Sequence, residues 1–214
     1  MFPLGDESRR PTQSPIVTTL LIGMNGLVFV LEIMKGEAFV TRWSAIPAEI
    51  VGGRRWITLL TAMFLHGSWL HILGNMIFLW AFGPVIEDAM NRGRYFIFYL
   101  FGGLLGMLAQ IAADSGSTIP ILGASGAIAA VMGAFLVTYP RDQIRTILFF
   151  GWFWRVSSIP ASLLIGVWLL IQLFSIGSVT EMQTGGVAYL AHIGGAVFGA
   201  VTARFFEDPR RIGE

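Results

Sequence analysis

Ser125 stands in the stretch Gly123-Ala124-Ser125-Gly126, at the head of an apolar run from Ile119 to Tyr139. A serine hydroxyl is a poor nucleophile until a neighbouring base takes its proton. The chain has three histidines to supply one, His66, His71 and His192. The small residues around Ser125 allow another backbone to approach closely. A serine where a membrane helix begins also feels the positive end of the helix dipole. The chemistry such a set could do is acyl transfer. Taken alone, each part has a plainer use. Gly126 with Ala130 and Ala129 with Gly133 form the small-residue spacing of ordinary membrane-helix packing, and a single histidine or asparagine can serve as a hydrogen bond between helices. Their joint placement has to decide.

That placement depends on the elements that carry them. Of the 214 residues, 55% are hydrophobic and 13% charged, about half the charged fraction usual in a soluble domain. The mean hydropathy of +0.70 agrees, and the chain reads as a multi-pass membrane protein. A net charge of +1 gives no reason to expect a nucleic-acid partner. The absence of cysteine removes disulfides, a thiolate nucleophile and a thiolate metal site. Residues 1–15 are polar, and the apolar run after them lacks a clear small-residue cleavage site, so that run reads as a retained span rather than a signal peptide.

A membrane span needs about 20 mostly apolar residues. Six runs meet or approach this: Ile16 to Met34, Trp69 to Ile86, Tyr95 to Ala113, Ile119 to Tyr139, about Ser157 to Ile176, and Val187 to Phe206. Ile147 to Trp154 is aromatic but short, and reads as interfacial. The expected architecture is all-α, six transmembrane helices in one bundle over residues 16–206, with a short arm (1–15) and a short tail (207–214). Ten of the fourteen basic residues fall on the side that holds both termini. The positive-inside rule makes that side cytoplasmic, in a multi-pass cell-membrane protein.

Spans two, four and six then run the same way, from outside to inside. His71 and Asn75 lie near the start of the second, Ser125 near the start of the fourth, and His192 five residues past Val187 in the sixth. Five residues are roughly 7–8 Å along a helix, so all four fall in the outer half of the membrane. His71 and Asn75, four apart, share a helix face. Polar groups inside a span usually face the bundle interior or a wet cavity. His192 can act as base to Ser125. Glu181, the acidic residue closest to His192 in sequence, lies on a loop, so the expectation is a Ser-His dyad without a third acidic member. His71, Asn75 and the Ser125 backbone N–H can donate to a developing oxyanion. Three histidines could instead hold zinc, but no acidic residue lies at matching depth and Ser125 would have no role. No metal and no cofactor are expected.

The residues resemble the rhomboid family of intramembrane serine proteases. His66-Gly-Ser-Trp-Leu-His71-Ile-Leu-Gly-Asn75 is similar to its His-x4-His-x3-Asn motif. Gly123-Ala-Ser125-Gly126 is similar to its Gly-x-Ser-Gly, and Ala191-His192-Ile-Gly-Gly195-Ala-Val-Phe-Gly199 to its Ala-His-x-x-Gly-x-x-x-Gly. Gly83 and Glu87 match its Gly-x-x-x-Glu. The likeness covers about Trp56 to Ala203.

The resemblance implies that Ser125 is the nucleophile and His192 the base. His71 and Asn75 would line the oxyanion hole, with His66, Gly123 and Gly126 supporting the site. Gly195 and Gly199 would let span six pack tightly on span four. The first loop would lie partly in the outer leaflet, and span five would move as a lateral gate. Substrates would be single-span membrane proteins cut within or near the bilayer. Two features depart from the family. Ala129 stands where many members have an aromatic that stacks on the histidine, and the first-loop Trp-Arg pair stands reversed, as Arg55-Trp56. The alternative reading is a catalytically inactive relative that binds transmembrane clients.

Overall fold

The computed structural model describes residues 1–176 and 188–212. The chain opens with a strand, β1 (Phe2–Asp6), and enters a long helix, α1 (Ile16–Lys35). Three short helices follow, α2 (Glu37–Trp43), α3 (Pro47–Val51) and α4 (Thr58–Thr61), and then a 3₁₀ turn at Ala62–Phe64. Two 22-residue helices, α5 (Trp69–Met90) and α6 (Arg92–Ala113), lead to α7 (Ser125–Thr138). A hairpin of β2 (Gln143–Phe150) and β3 (Phe153–Pro160) precedes α8 (Ala161–Ile176) and α9 (Tyr189–Phe206). Among the described residues, α1, α5 and α6 are each long and apolar enough to cross a membrane.

The expectation of an all-α chain needs correction. β1, β2 and β3 form a three-stranded antiparallel sheet in that order. Residues 143–150 and 153–160 are rich in β-branched and aromatic side chains, which suit a pleated, half-buried surface. The two-residue loop Gly151-Trp152 closes the hairpin, with Gly151 at φ +62°. The stretch read as interfacial is therefore the hairpin tip. The fifth apolar run starts as strand, and its helix begins only after Pro160. Phe2–Asp6, within the arm at 1–15, is the first strand of this sheet.

The fourth run also differs from expectation. Its helix starts at Ser125 itself, not near Ile119. Pro120 has no N–H to give a helix, and Gly123 sits at φ +126°, a conformation closed to side-chain-bearing residues. The 14 residues of α7 are about 21 Å long. Every residue from Gly126 to Phe135 is buried, so this short helix is the axis of the bundle.

Small residues set the distance between α7 and its neighbours. A Cβ on Gly195 would meet the Gly126 carbonyl oxygen, one on Gly199 the Ala130 carbonyl, and one on Gly133 the Ala196 carbonyl. On the other side, a Cβ on Gly106 of α6 would stand 2.6 Å from the Ala191 carbonyl oxygen of α9. Without hydrophobic driving force between helices in lipid, such close backbone approach is the main source of attraction.

One end of the bundle gathers the charges. The Arg9 guanidinium pairs with Asp142 at 2.6 Å and lies 4.0 Å over the Tyr139 ring. Asp88 accepts from Thr12 and pairs with Arg211 at 3.3 Å. Glu207 holds Arg204 at 2.9 Å and accepts from Thr138. Both ends of the chain therefore meet the 88–94 turn and the end of α7. Glu87, buried in α5, accepts from the Val17 and Thr18 N–H groups at 2.9 and 2.8 Å. It caps the start of α1, whose own cap position, Pro15, offers no side-chain bond. Gly83, one turn earlier, leaves room for Thr18 and Tyr95.

Candidate active site

The opposite end holds the polar residues singled out in the sequence. Its framework is the segment 36–68 laced to the segment 114–124. Ala45 and Ile121 exchange backbone hydrogen bonds of 3.0 and 2.7 Å, and Ala48 N–H donates to Ser117 at 3.0 Å. Arg55, at φ +56°, donates to the Thr41 and Arg42 carbonyls and pairs with Glu49 at 2.5 Å. The reversed Arg55-Trp56 thus ties the first loop together through the arginine, while Trp56 is exposed. Gly123 N–H donates to the Ala62 carbonyl at 2.9 Å, which fixes the bend into α7.

Ser125 is the first residue of that helix, and its Oγ lies 2.7 Å from His192 Nε2 on α9. The other ring nitrogen, Nδ1, lies 2.7 Å from Gln172 Oε1 on α8. A carbonyl oxygen only accepts, so this contact is satisfied by a proton on Nδ1, which leaves Nε2 free to accept from the Ser125 hydroxyl. Trp168, also on α8, packs its ring 5.5 Å from the imidazole at 35°. Ala129, on the helix of Ser125, is fully buried and offers no ring. The histidine is held from α8 instead.

His71 and Asn75 lie one turn apart on α5 and line the same cavity as Ser125 and His192. Ser68 caps α5 by accepting from the His71 N–H at 3.2 Å. The His71 ring packs on Gly123 so closely that a Cβ there would stand 2.9 Å from Nε2. Gly123 is thus required both by its φ and by its neighbour. Asn75 Nδ2 lies 2.9 Å from His66 Nε2. An amide N–H₂ only donates, so His66 fixes one of its two hydrogens and leaves the other for the cavity. His66 is buried, and its backbone N–H is held by both Glu32 carboxylate oxygens at 3.0 and 3.1 Å. Gly126 lies against α6 and α9 through Gly106 and the Ala191 carbonyl.

The cavity has a volume of about 810 Å³ and is bounded by Gly67, Leu70, Gln110, Leu122 and Ala188 as well as the site residues. Asp114 and Ser117 stand at its polar rim. The first-turn N–H groups of α7 have no intrahelical acceptor and no side-chain cap. They form, with Asn75 and His71, a set of donors near the serine.

The structure brings together Ser125, His192, His71, Asn75, His66 and Gly123 at one end, and sets Gly195 and Gly199 on the α7–α9 contact. Sequence reasoning missed Gln172, Trp168 and Glu32. Gln172 and Trp168 are four apart, and a polar residue at that spacing inside an apolar run was the available signal. Glu181 and the expected loop around it lie outside the described residues, as does Val187.

Residues 53–208 match the family model described as the Rhomboid domain. The chain is 26% identical over 188 residues to Rhomboid protein 1, mitochondrial, of Saccharomyces cerevisiae, covering 85% of this chain and 50% of that protein. It is 32% identical over 144 residues to Rhomboid protease GluP of Bacillus subtilis, covering 62% and 28%. It is 26% identical over 192 residues to the presenilin-associated rhomboid-like protein, mitochondrial, of Rattus norvegicus, covering 85% and 46%. The chain spans half or less of the length of these relatives.

Proposed function

The chain belongs to the rhomboid family of membrane proteins, and from that premise we propose that it is a serine endopeptidase that cuts single-span membrane proteins within or near the bilayer. The observation that carries the reading is the 2.7 Å contact of Ser125 Oγ with His192 Nε2, on a ring whose Nδ1 faces the Gln172 carbonyl oxygen.

In this mechanism the Ser125 oxygen attacks the scissile carbonyl carbon while His192 Nε2 takes its proton. The carbonyl oxygen becomes an oxyanion among Asn75, His71 and the first-turn N–H groups of α7. His192 then gives the proton to the leaving amine. Water attacks the acyl-serine, with the same nitrogen as base, and the second product leaves. Neither metal nor cofactor takes part.

We read α1, α5, α6, α7, α8 and α9 as six crossings over residues 16–206, with the segments 1–15 and 207–214 on the cytoplasmic side of a cell membrane. The basic residues clustered at the charged end support that orientation. The shortness of α7 fits it too. About 21 Å of helix in a hydrocarbon core of about 30 Å leaves Ser125 below the headgroups, under a cavity wide enough for water. Gly195 and Gly199 act as packing residues that hold His192 at Ser125.

The test is incubation of the detergent-purified protein with a panel of single-span substrates. Cleavage that is lost in Ser125→Ala supports the reading. Client binding without turnover, equal in wild type and Ser125→Ala, would favour the inactive, client-binding alternative.

A further inference from the structure

The bond between His192 and Gln172 has more to it than helix packing. Gln172 and His192 are both 7% exposed, so neither can exchange this contact for bulk water. The amide has one orientation that satisfies both ends. Its Nε2 donates to the Trp168 carbonyl at 3.4 Å, which turns Oε1 towards His192 Nδ1 at 2.7 Å. A neutral imidazole carries one proton. With that proton on Nδ1, the lone pair on Nε2 points at the Ser125 hydroxyl. The opposite amide orientation would put the proton on Nε2, where the ring could not act as base.

We propose that Gln172 is a positioning residue that holds His192 in the Nδ1–H tautomer, a neutral counterpart of the carboxylate that orients the histidine in soluble serine hydrolases. The proposal rests on the protease reading above for its kinetic consequence, but not for its structural one. A neutral amide suits the surroundings. A carboxylate buried in an apolar helix would need its own charge compensated, and the described part of α8 contains no basic residue. Trp168 and Gln172 share one helix face. The same face therefore supplies the ring that flanks the imidazole and the oxygen that sets its proton. Residues on α8 thus complete the site of Ser125 and His192 without touching the reacting atoms.

The experiment uses the full chain in detergent micelles with ¹⁵N-labelled histidine rings, and compares wild type with Gln172→Met and Gln172→Glu. Met keeps the volume and removes the acceptor; Glu keeps an acceptor. The wild-type ¹⁵N spectrum should show His192 as the Nδ1–H tautomer, and Gln172→Met should show mixed tautomers at an unchanged fold. In parallel, fluorophosphonate labelling of Ser125 and substrate kcat should fall about 10- to 10²-fold in Gln172→Met, with KM within about twofold, and recover only part of that loss in Gln172→Glu, which keeps an acceptor but brings a charge that α8 does not compensate. A Gln172→Met protein that keeps the Nδ1–H signal and the wild-type labelling rate would overturn the proposal, as would a rate loss with the tautomer unchanged. If wild type itself neither labels nor turns over, the protease reading fails, and the spectra alone decide whether Gln172 sets the tautomer.

Discussion

The Trp168 ring packs on the His192 imidazole with centroids 5.5 Å apart and planes 35° from parallel. A ring at this distance restricts the imidazole to one plane, and such ring pairs contribute about 0.5–1.5 kcal/mol beyond burial. Trp168→Ala should therefore lower kcat roughly 2- to 13-fold, and Trp168→Phe much less. Steady-state kinetics on one substrate checks this. An unchanged kcat in Trp168→Ala would show that the ring is not what holds the base.

Asn75 is the best-placed side chain to stabilise an oxyanion, because His66 already fixes its amide at 2.9 Å. Asn75→Ala should lower kcat about 10²–10³-fold with little change in KM. His66→Ala frees the Asn75 amide and removes the ring packed 5.1 Å from that of His71, and should lower kcat by less because neither donor is itself removed. The order of the two losses, measured on the same substrate, tests which residue meets the substrate and which supports it.

The α7–α9 contact tolerates no added carbon. A Cβ at Gly195 or Gly199 meets backbone oxygen rather than a movable side chain. Gly195→Ala and Gly199→Ala should each destabilise the protein by about 1–3 kcal/mol or more. They should also reduce activity, since the clash pushes His192 off Ser125. Gly26→Ala is the control. It sits in α1 with nothing within 4 Å of the added carbon, and should hold or raise the melting temperature.

Asp6, in the sheet, makes stability depend on pH. Burial, and then the nearby Asp142 charge, raise the Asp6 carboxyl from 3.8 to about 6. A carboxyl raised in the folded state binds its proton more tightly folded than unfolded. It therefore costs nothing below its unfolded value, and its cost grows as pH rises through the interval to about 6. Asp6→Asn keeps an oxygen for the Ser8 and Arg9 N–H groups. Its melting temperature should exceed that of wild type at pH 7.5 and match it near pH 4. An equal gain at both pH values would mean that charge is not the cause.

The catalytic candidates were legible because the parity of the spans and the four-residue spacing of His71 and Asn75 both carry depth information. The family motifs around Ser125 and His192 agree with that placement. Gln172 and Trp168 were not legible in the same way. Which face of α8 meets His192 depends on how the helix is rotated in the bundle, and the departure at Ala129 said only that something else must hold the ring. Glu32 was hidden for the same reason, as a lone acid inside the first apolar run. The sheet was missed because residues 147–154 read equally well as an aromatic interfacial segment, and the partner strand lies some 140 positions earlier, at Phe2–Asp6. The late start of α7 was written in Pro120 and Gly123, but the apolar run continues through both.

The central claim is that the Ser125 hydroxyl is an activated nucleophile with His192 as its base. The most direct measurement is peptide mapping of the intact protein after reaction with a fluorophosphonate. The account predicts a single adduct on Ser125, absent in Ser125→Ala and formed far more slowly in His192→Ala. An adduct that persists in Ser125→Ala, or a labelling rate indifferent to His192, would contradict it.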